Sequence, residues 1–151
     1  MNESKEVMVF SLADEQLHFQ IDGPAIDIKQ GLNFIIAQSV RFGRIDALAI
    51  ESMIDVIEQL LEKLKLNFHQ QRTAQTTDQY LQRLSTLFLN DEKCIDRVML
   101  EHAFNEFIER LEYYTEQIEH DFKLWAYFVL IREMMHHWNV SQINLLKRVI
   151  E

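Results

Sequence analysis

A chain of 151 residues, 48% hydrophobic and 26% charged, suits one domain that buries its own core without metals or crosslinks. Its three glycines and single proline argue against a turn-rich β architecture and leave no glycine-rich loop to cradle phosphates. A net charge of −9 sets it against nucleic-acid backbones, and the lone Cys94 excludes an intrachain disulfide. MNESKEVMVF has no signal-peptide character, so a cytoplasmic protein is expected.

Residues 7–21 read as a β-hairpin. Val7 to Leu12 and Leu17 to Ile21 alternate, and Ala13-Asp14-Glu15-Gln16 between them can turn. An isolated hairpin is marginal in water, so it is expected either to lid the helices or to pair its edge with another chain. Residues 28–150 read as helices. Asp27 and Gln30 form a capping pattern ahead of a helix from Ile28 to Arg41, stopped by Gly43 in a left-handed conformation. Gly31 inside it implies either close approach of a neighbour or a helix that starts late.

Asp46 caps a second helix reaching Leu66, with Ile50, Met53, Ile57, Leu60 and Leu64 inward and the acidic row Glu51, Asp55, Glu58 and Glu62 opposite. Residues 67–77 lack an apolar period and read as a loop or a solvated helix extension. A short helix carries Tyr80, Leu81, Leu84, Leu87 and Phe88. The longest helix is expected from Glu92 to His120, with Leu100, Phe104, Phe107, Leu111, Tyr114 and Ile118 on its stripe and a second acidic row of Glu109, Glu112, Glu116 and Glu119.

Asp121 to Trp138 carries the most apolar bulk. Leu124, Tyr127, Phe128, Ile131, Met134, Met135 and Trp138 form one stripe, and Trp125, Ala126, Val129 and Leu130 make the opposite side apolar as well. The uninterrupted run from Leu124 to Ile131 is far short of the roughly 20 residues that a bilayer requires, so no membrane span is expected. Asn139 and Ser141 then end this helix and cap a last one with Ile143, Leu146 and Ile150 inward. The expected fold is a mainly α, single-domain bundle of about five or six helices with a short N-terminal hairpin.

The only ligand-like cluster is Glu133 with His136 and His137, because Glu-x-x-His places both side chains on one helix face. Carboxylate-bridged di-iron bundles need that spacing on two helices, and here it occurs on one predicted helix. Cys94 reads as a core or half-buried thiol, and no serine lies in a G-x-S-x-G elbow. The expected function is therefore non-enzymatic: an adaptor, regulator or immunity-like inhibitor working through protein contacts, without a cofactor. The acidic rows point to a basic partner. A homodimer is expected through Trp125 and Val129, flanked by Arg132 and His136. The alternative is a metal-binding helical protein or metal-dependent enzyme using Glu133 and His136.

Overall fold

The structure is a computed structural model that describes residues 6–21, 23, 25–67, 69–118 and 121–147. It contains six strands and six helices in the order β1 (Glu6–Leu12), β2 (Leu17–Ile21), β3 (Ala25–Ile28), α1 (Leu32–Ser39), α2 (Ala47–Leu61), β4 (Arg72–Thr76), α3 (Gln79–Phe88), β5 (Cys94–Asp96), α4 (Arg97–Glu109), α5 (Leu111–Gln117), α6 (Phe122–His137) and β6 (Val140–Leu145). The strands form one mixed sheet of order β3-β2-β1-β4-β6-β5. β1, β4 and β6 run parallel at its centre, and β2, β3 and β5 are antiparallel to their neighbours. The mainly α bundle with a hairpin is thus overturned: this is an α/β fold.

The hairpin is real, with Phe10 opposite Phe19 and Leu12 opposite Leu17. It is no lid. β3 extends it on one side and β4 on the other, so its edges are paired within the chain. Met8, Phe10, Leu12, Leu17, Phe19, Ala74, Ile95 and Ile143 are all buried, and the register places them on a single face of the sheet. The other face, with Val9, Gln20 and Cys94, is exposed.

Three expected helices and the stretch 67–77 change identity or length. Residues 25–28 form β3, and α1 begins only at Leu32 because Gly31 meets the β1–β2 turn. A Cβ at Gly31 would lie 2.4 Å from the Ala13 carbonyl oxygen, so only glycine fits. Asp27 does not cap; its carboxylate meets His18 Nδ1 at 2.6 Å. Residues 72–76, read as loop or helix, are the central strand β4. The long helix from Glu92 is interrupted: its start is β5, and α4 and α5 break at Arg110. The last helix is β6, where Ser141 donates to the Arg72 carbonyl at 3.2 Å instead of capping. Two caps hold. Asp46 accepts the Ala49 amide at 2.8 Å, and Asn139 takes a left-handed φ of 52° after α6.

α6 is the helix on which everything packs, since it meets α1, α2, α3, α4 and β6. Its all-round apolar surface is covered within the chain. Trp125 stacks on Phe107 with ring centroids 4.7 Å apart, and Val129 has no exposed surface. The expected homodimer face on Trp125 and Val129 is therefore interior, because the helices the sequence needed as cover are present in the same chain. Among the described residues no helix is long and apolar enough to cross a membrane.

Candidate metal centre

α6 runs against the direction of β1, β4 and β6. Its first half reaches the carboxyl ends of those strands, where Tyr127 donates to Asp78 at 2.9 Å. Its last turn reaches their amino ends, where Arg72 Nη1 donates to the Trp138 carbonyl at 2.8 Å. Polar groups collect at both ends.

At the carboxyl ends, ligands usually enter the crevice of an open α/β sheet. Here a cleft of about 450 Å³ is lined by the β1–β2 turn together with Asp78, Gln79 and Tyr80. Its carboxylates are engaged internally. Asp78 accepts from the Leu12 amide at 3.1 Å and from Ser11, Asp14 pairs with Lys123 at 2.8 Å, and Glu15 accepts from Asn33. The Leu32 and Asn33 amides at the start of α1 donate to the Ala13 and Asp14 carbonyls at 3.0 and 2.9 Å. Those amides are the donors that an anion at a helix N-terminus would use. At this end, among the described residues, both amides are taken up within the chain.

At the amino ends, three helices converge on the cluster that the sequence singled out. Glu133 and His137 stand one turn apart on α6, and α2 brings Glu58 against them. His137 Nε2 lies 3.6 Å from Glu58 Oε1 and 3.7 Å from Glu133 Oε1. One donor atom from each of the three residues falls within 4.8 Å of the others, close enough for a single ion to bridge. Glu133 is buried at 4% exposure, whereas the Glu58 and His137 side chains are 41% and 40% exposed, so the set opens to solvent on one side. Beside His137 lies a groove of about 240 Å³ lined by Leu61, Glu62, Leu64, Lys65, Leu66 and Trp138.

A second tier surrounds the set. Arg132 Nη1 donates to Glu133 Oε2 at 2.9 Å, while its Nη2 and Nε fork onto Glu101 at 3.1 and 3.3 Å. Its guanidinium also lies over the Phe104 ring, 4.8 Å from the centroid. His136 Nε2 meets Glu101 Oε2 at 3.0 Å. The hydrogen bond from Arg132, with a second from His136, holds the Glu101 carboxyl below its ordinary value against some desolvation. Burial lowers the Arg132 pKa, but the hydrogen bonds and charges of Glu101 and Glu133 outweigh it and leave it raised.

The structure thus splits the predicted trio. Glu133 and His137 come together, whereas His136 turns to Glu101, because i,i+3 and i,i+4 positions diverge on a helix that is flanked by α4 on one side and α2 on the other. Arg132 joins Glu133 to Glu101 in the second tier. Of the acidic rows, Glu51, Asp55, Glu62, Glu109, Glu112 and Glu116 are exposed, and Glu119 lies outside the described residues. Glu58 alone leaves its row to join the cluster. Sequence reasoning missed Glu101 and the role of Glu58; the signal for Glu58 is its place between Ile57 and Leu61, at the border of the apolar stripe.

No protein-family model and no curated protein matches the chain. Solved structures do. It is similar to the Ppx/GppA enzyme of Aquifex aeolicus, with a TM-score of 0.72 at 13% identity over 94% of this chain and 53% of that one. A type II variant of that Ppx/GppA phosphatase gives a TM-score of 0.71 at 12% identity over 95% of this chain and 53% of that one. An exopolyphosphatase-like protein gives 0.68 at 9% identity over 94% of this chain and 54% of that one. The likeness is one of fold, and the chain spans about half the length of these proteins. It overturns the helical bundle on which the reading as a non-enzymatic adaptor or regulator rested.

Proposed function

We propose that this chain is a divalent-metal-dependent enzyme of the hydrolytic class, with Glu58, Glu133 and His137 as the metal ligands. The observation that carries the proposal is the convergence of one imidazole and two carboxylates within 4.8 Å, one of them buried. Two oxygens and a nitrogen suit a first-row divalent ion such as zinc or manganese, and three protein ligands with an open side are the pattern of a catalytic site. Charge supports the same ion. The carboxylates of Glu58, Glu101 and Glu133 against the Arg132 guanidinium sum to −2, which a dication balances. Bound there, the ion would supply a water acidified towards neutral pH.

The reaction class comes from the fold's neighbours, described as phosphatases and an exopolyphosphatase-like protein. It implies hydrolysis of a phosphoanhydride or phosphoester. Because the β1–β2 turn carries Asp14 and Glu15 and no glycine, the substrate phosphate would be held by the metal and by Lys65 beside the groove, not by a backbone loop.

Elemental analysis after dialysis against zinc or manganese tests the proposal. The wild-type chain is expected to retain one ion, His137→Ala and Glu58→Gln to lose it, and His136→Ala to keep it. Loss in His136→Ala with retention in His137→Ala would overturn the ligand assignment. Phosphate release from inorganic tripolyphosphate by the loaded chain, absent in His137→Ala, is expected for the reaction. A loaded chain that binds metal but releases no phosphate would remove the hydrolytic class.

A further inference from the structure

The arrangement around Arg132 deepens the metal reading and rests on it. Glu101 on α4 is not among the converging donors, yet it is the hub of the charges beside them. It accepts the Nε and Nη2 fork of Arg132 at 3.3 and 3.1 Å and meets His136 at 3.0 Å. The Phe104 ring, 4.8 Å from the guanidinium carbon, fixes the plane of that fork. In this plane Arg132 engages Glu133 only through Nη1 and Oε2, at 2.9 Å. The other oxygen of Glu133, Oε1, faces His137.

We infer that Glu101 is a positioning residue of the metal centre: by holding Arg132 in its fork, it keeps the guanidinium on one oxygen of Glu133 and leaves the other for the ion. Without that fork the guanidinium can turn fully onto Glu133, and a bidentate arginine–carboxylate pair competes for the ligand oxygen. Removing the Glu101 charge also takes the local group from −2 to −1 and weakens its pull on a dication. Both effects act in the same direction.

Titration of the full chain with Co2+, followed by its visible absorption, tests this. Glu101→Gln is expected to bind Co2+ about tenfold more weakly, the scale on which outer-shell partners act, with the band at saturation unchanged because the ligands are the same. Glu51→Gln, an exposed charge on α2 away from the groove, should stay within about twofold. In an Arg132→Gln background the effect of Glu101→Gln should shrink to about twofold or less. If that background does not fold, Arg132→Lys replaces it, since it keeps the charge and removes the fork. Equal affinity in wild type and Glu101→Gln overturns the inference and leaves the metal reading standing. An undiminished loss in the Arg132 background also overturns it, because the carboxylate would then act by charge alone. A wild-type chain with no Co2+ band removes the metal reading itself.

Discussion

Asp78 shows how single side chains hold the carboxyl ends of the strands together. It follows β4, accepts from the Leu12 amide at the end of β1, from Ser11 and from Tyr127 on α6, and thereby joins two strands and the central helix. Burial lifts its pKa above the ordinary aspartate value, and the hydrogen bonds from Leu12, Tyr127, Thr76 and Ser11 pull it back only in part. A carboxyl with a raised folded pKa binds its proton more tightly when native. Its contribution to stability is therefore present at acid pH and is lost as pH rises from the ordinary aspartate range through the raised value. Asp78→Asn can keep an oxygen on the Leu12 and Tyr127 donors and turn its NH2 to the Ser11 hydroxyl, without a buried charge. Chemical denaturation at neutral pH is expected to find this variant at least as stable as wild type, with a flatter acid-side pH profile. Asp78→Ala, which strands two donors, should cost about 1–3 kcal/mol. A comparable loss in Asp78→Asn would show that the ionised form is needed. The candidate centre is similarly decided by individual residues. The Glu-x-x-His spacing singled out Glu133 and His136, one residue away from the His137 that meets Glu133, whereas Glu58 and Glu101 come from helices whose placement beside α6 no local spacing encodes.

Among the elements, α2, α6 and the β1–β2 hairpin were legible because each carries a full period of apolar residues and a turn or cap at an end. The strands β4, β5 and β6 were not. β4 reads RTAQT, with Arg72 buried because Glu6 at 2.7 Å and the Trp138 and Gln70 carbonyls satisfy its guanidinium, so its place in the sheet is hidden in tertiary pairing. Ile143 in β6 and Leu146 just after it stand at helical spacing, and the parallel partner β4 lies 69 positions away at Ser141 and Arg72. α6 itself was found, but its cover was assigned to the wrong source. With Val129 fully enclosed, Val129→Glu buries an unpaired charge inside one chain and is expected to cost more than about 4 kcal/mol. Circular dichroism should show an unfolded chain. A folded monomer would restore the exterior reading of that face.

At the scale of the whole molecule, the antiparallel run of α6 separates an internally paired end, at Asp14 and Asp78, from an end open to solvent at Glu58 and His137. The fold therefore carries its candidate chemistry on the side away from the usual crevice of an open α/β sheet. The sheet order adds a consequence in time. β6 lies between β4 and β5 and, among the described residues, is the one strand paired with β5, yet it follows every element it joins in the sequence. During synthesis the ribosome delivers the hairpin, β4 and all six helices before the strand that closes the sheet. Until then β4 exposes an unpaired edge, the kind of surface on which nascent chains mispair. Ribosome-bound chains stalled with β6 still inside the exit tunnel are expected to be cut by protease within α6, and chains stalled after its release to resist. Equal resistance at both lengths would mean that the helices assemble without the closing strand.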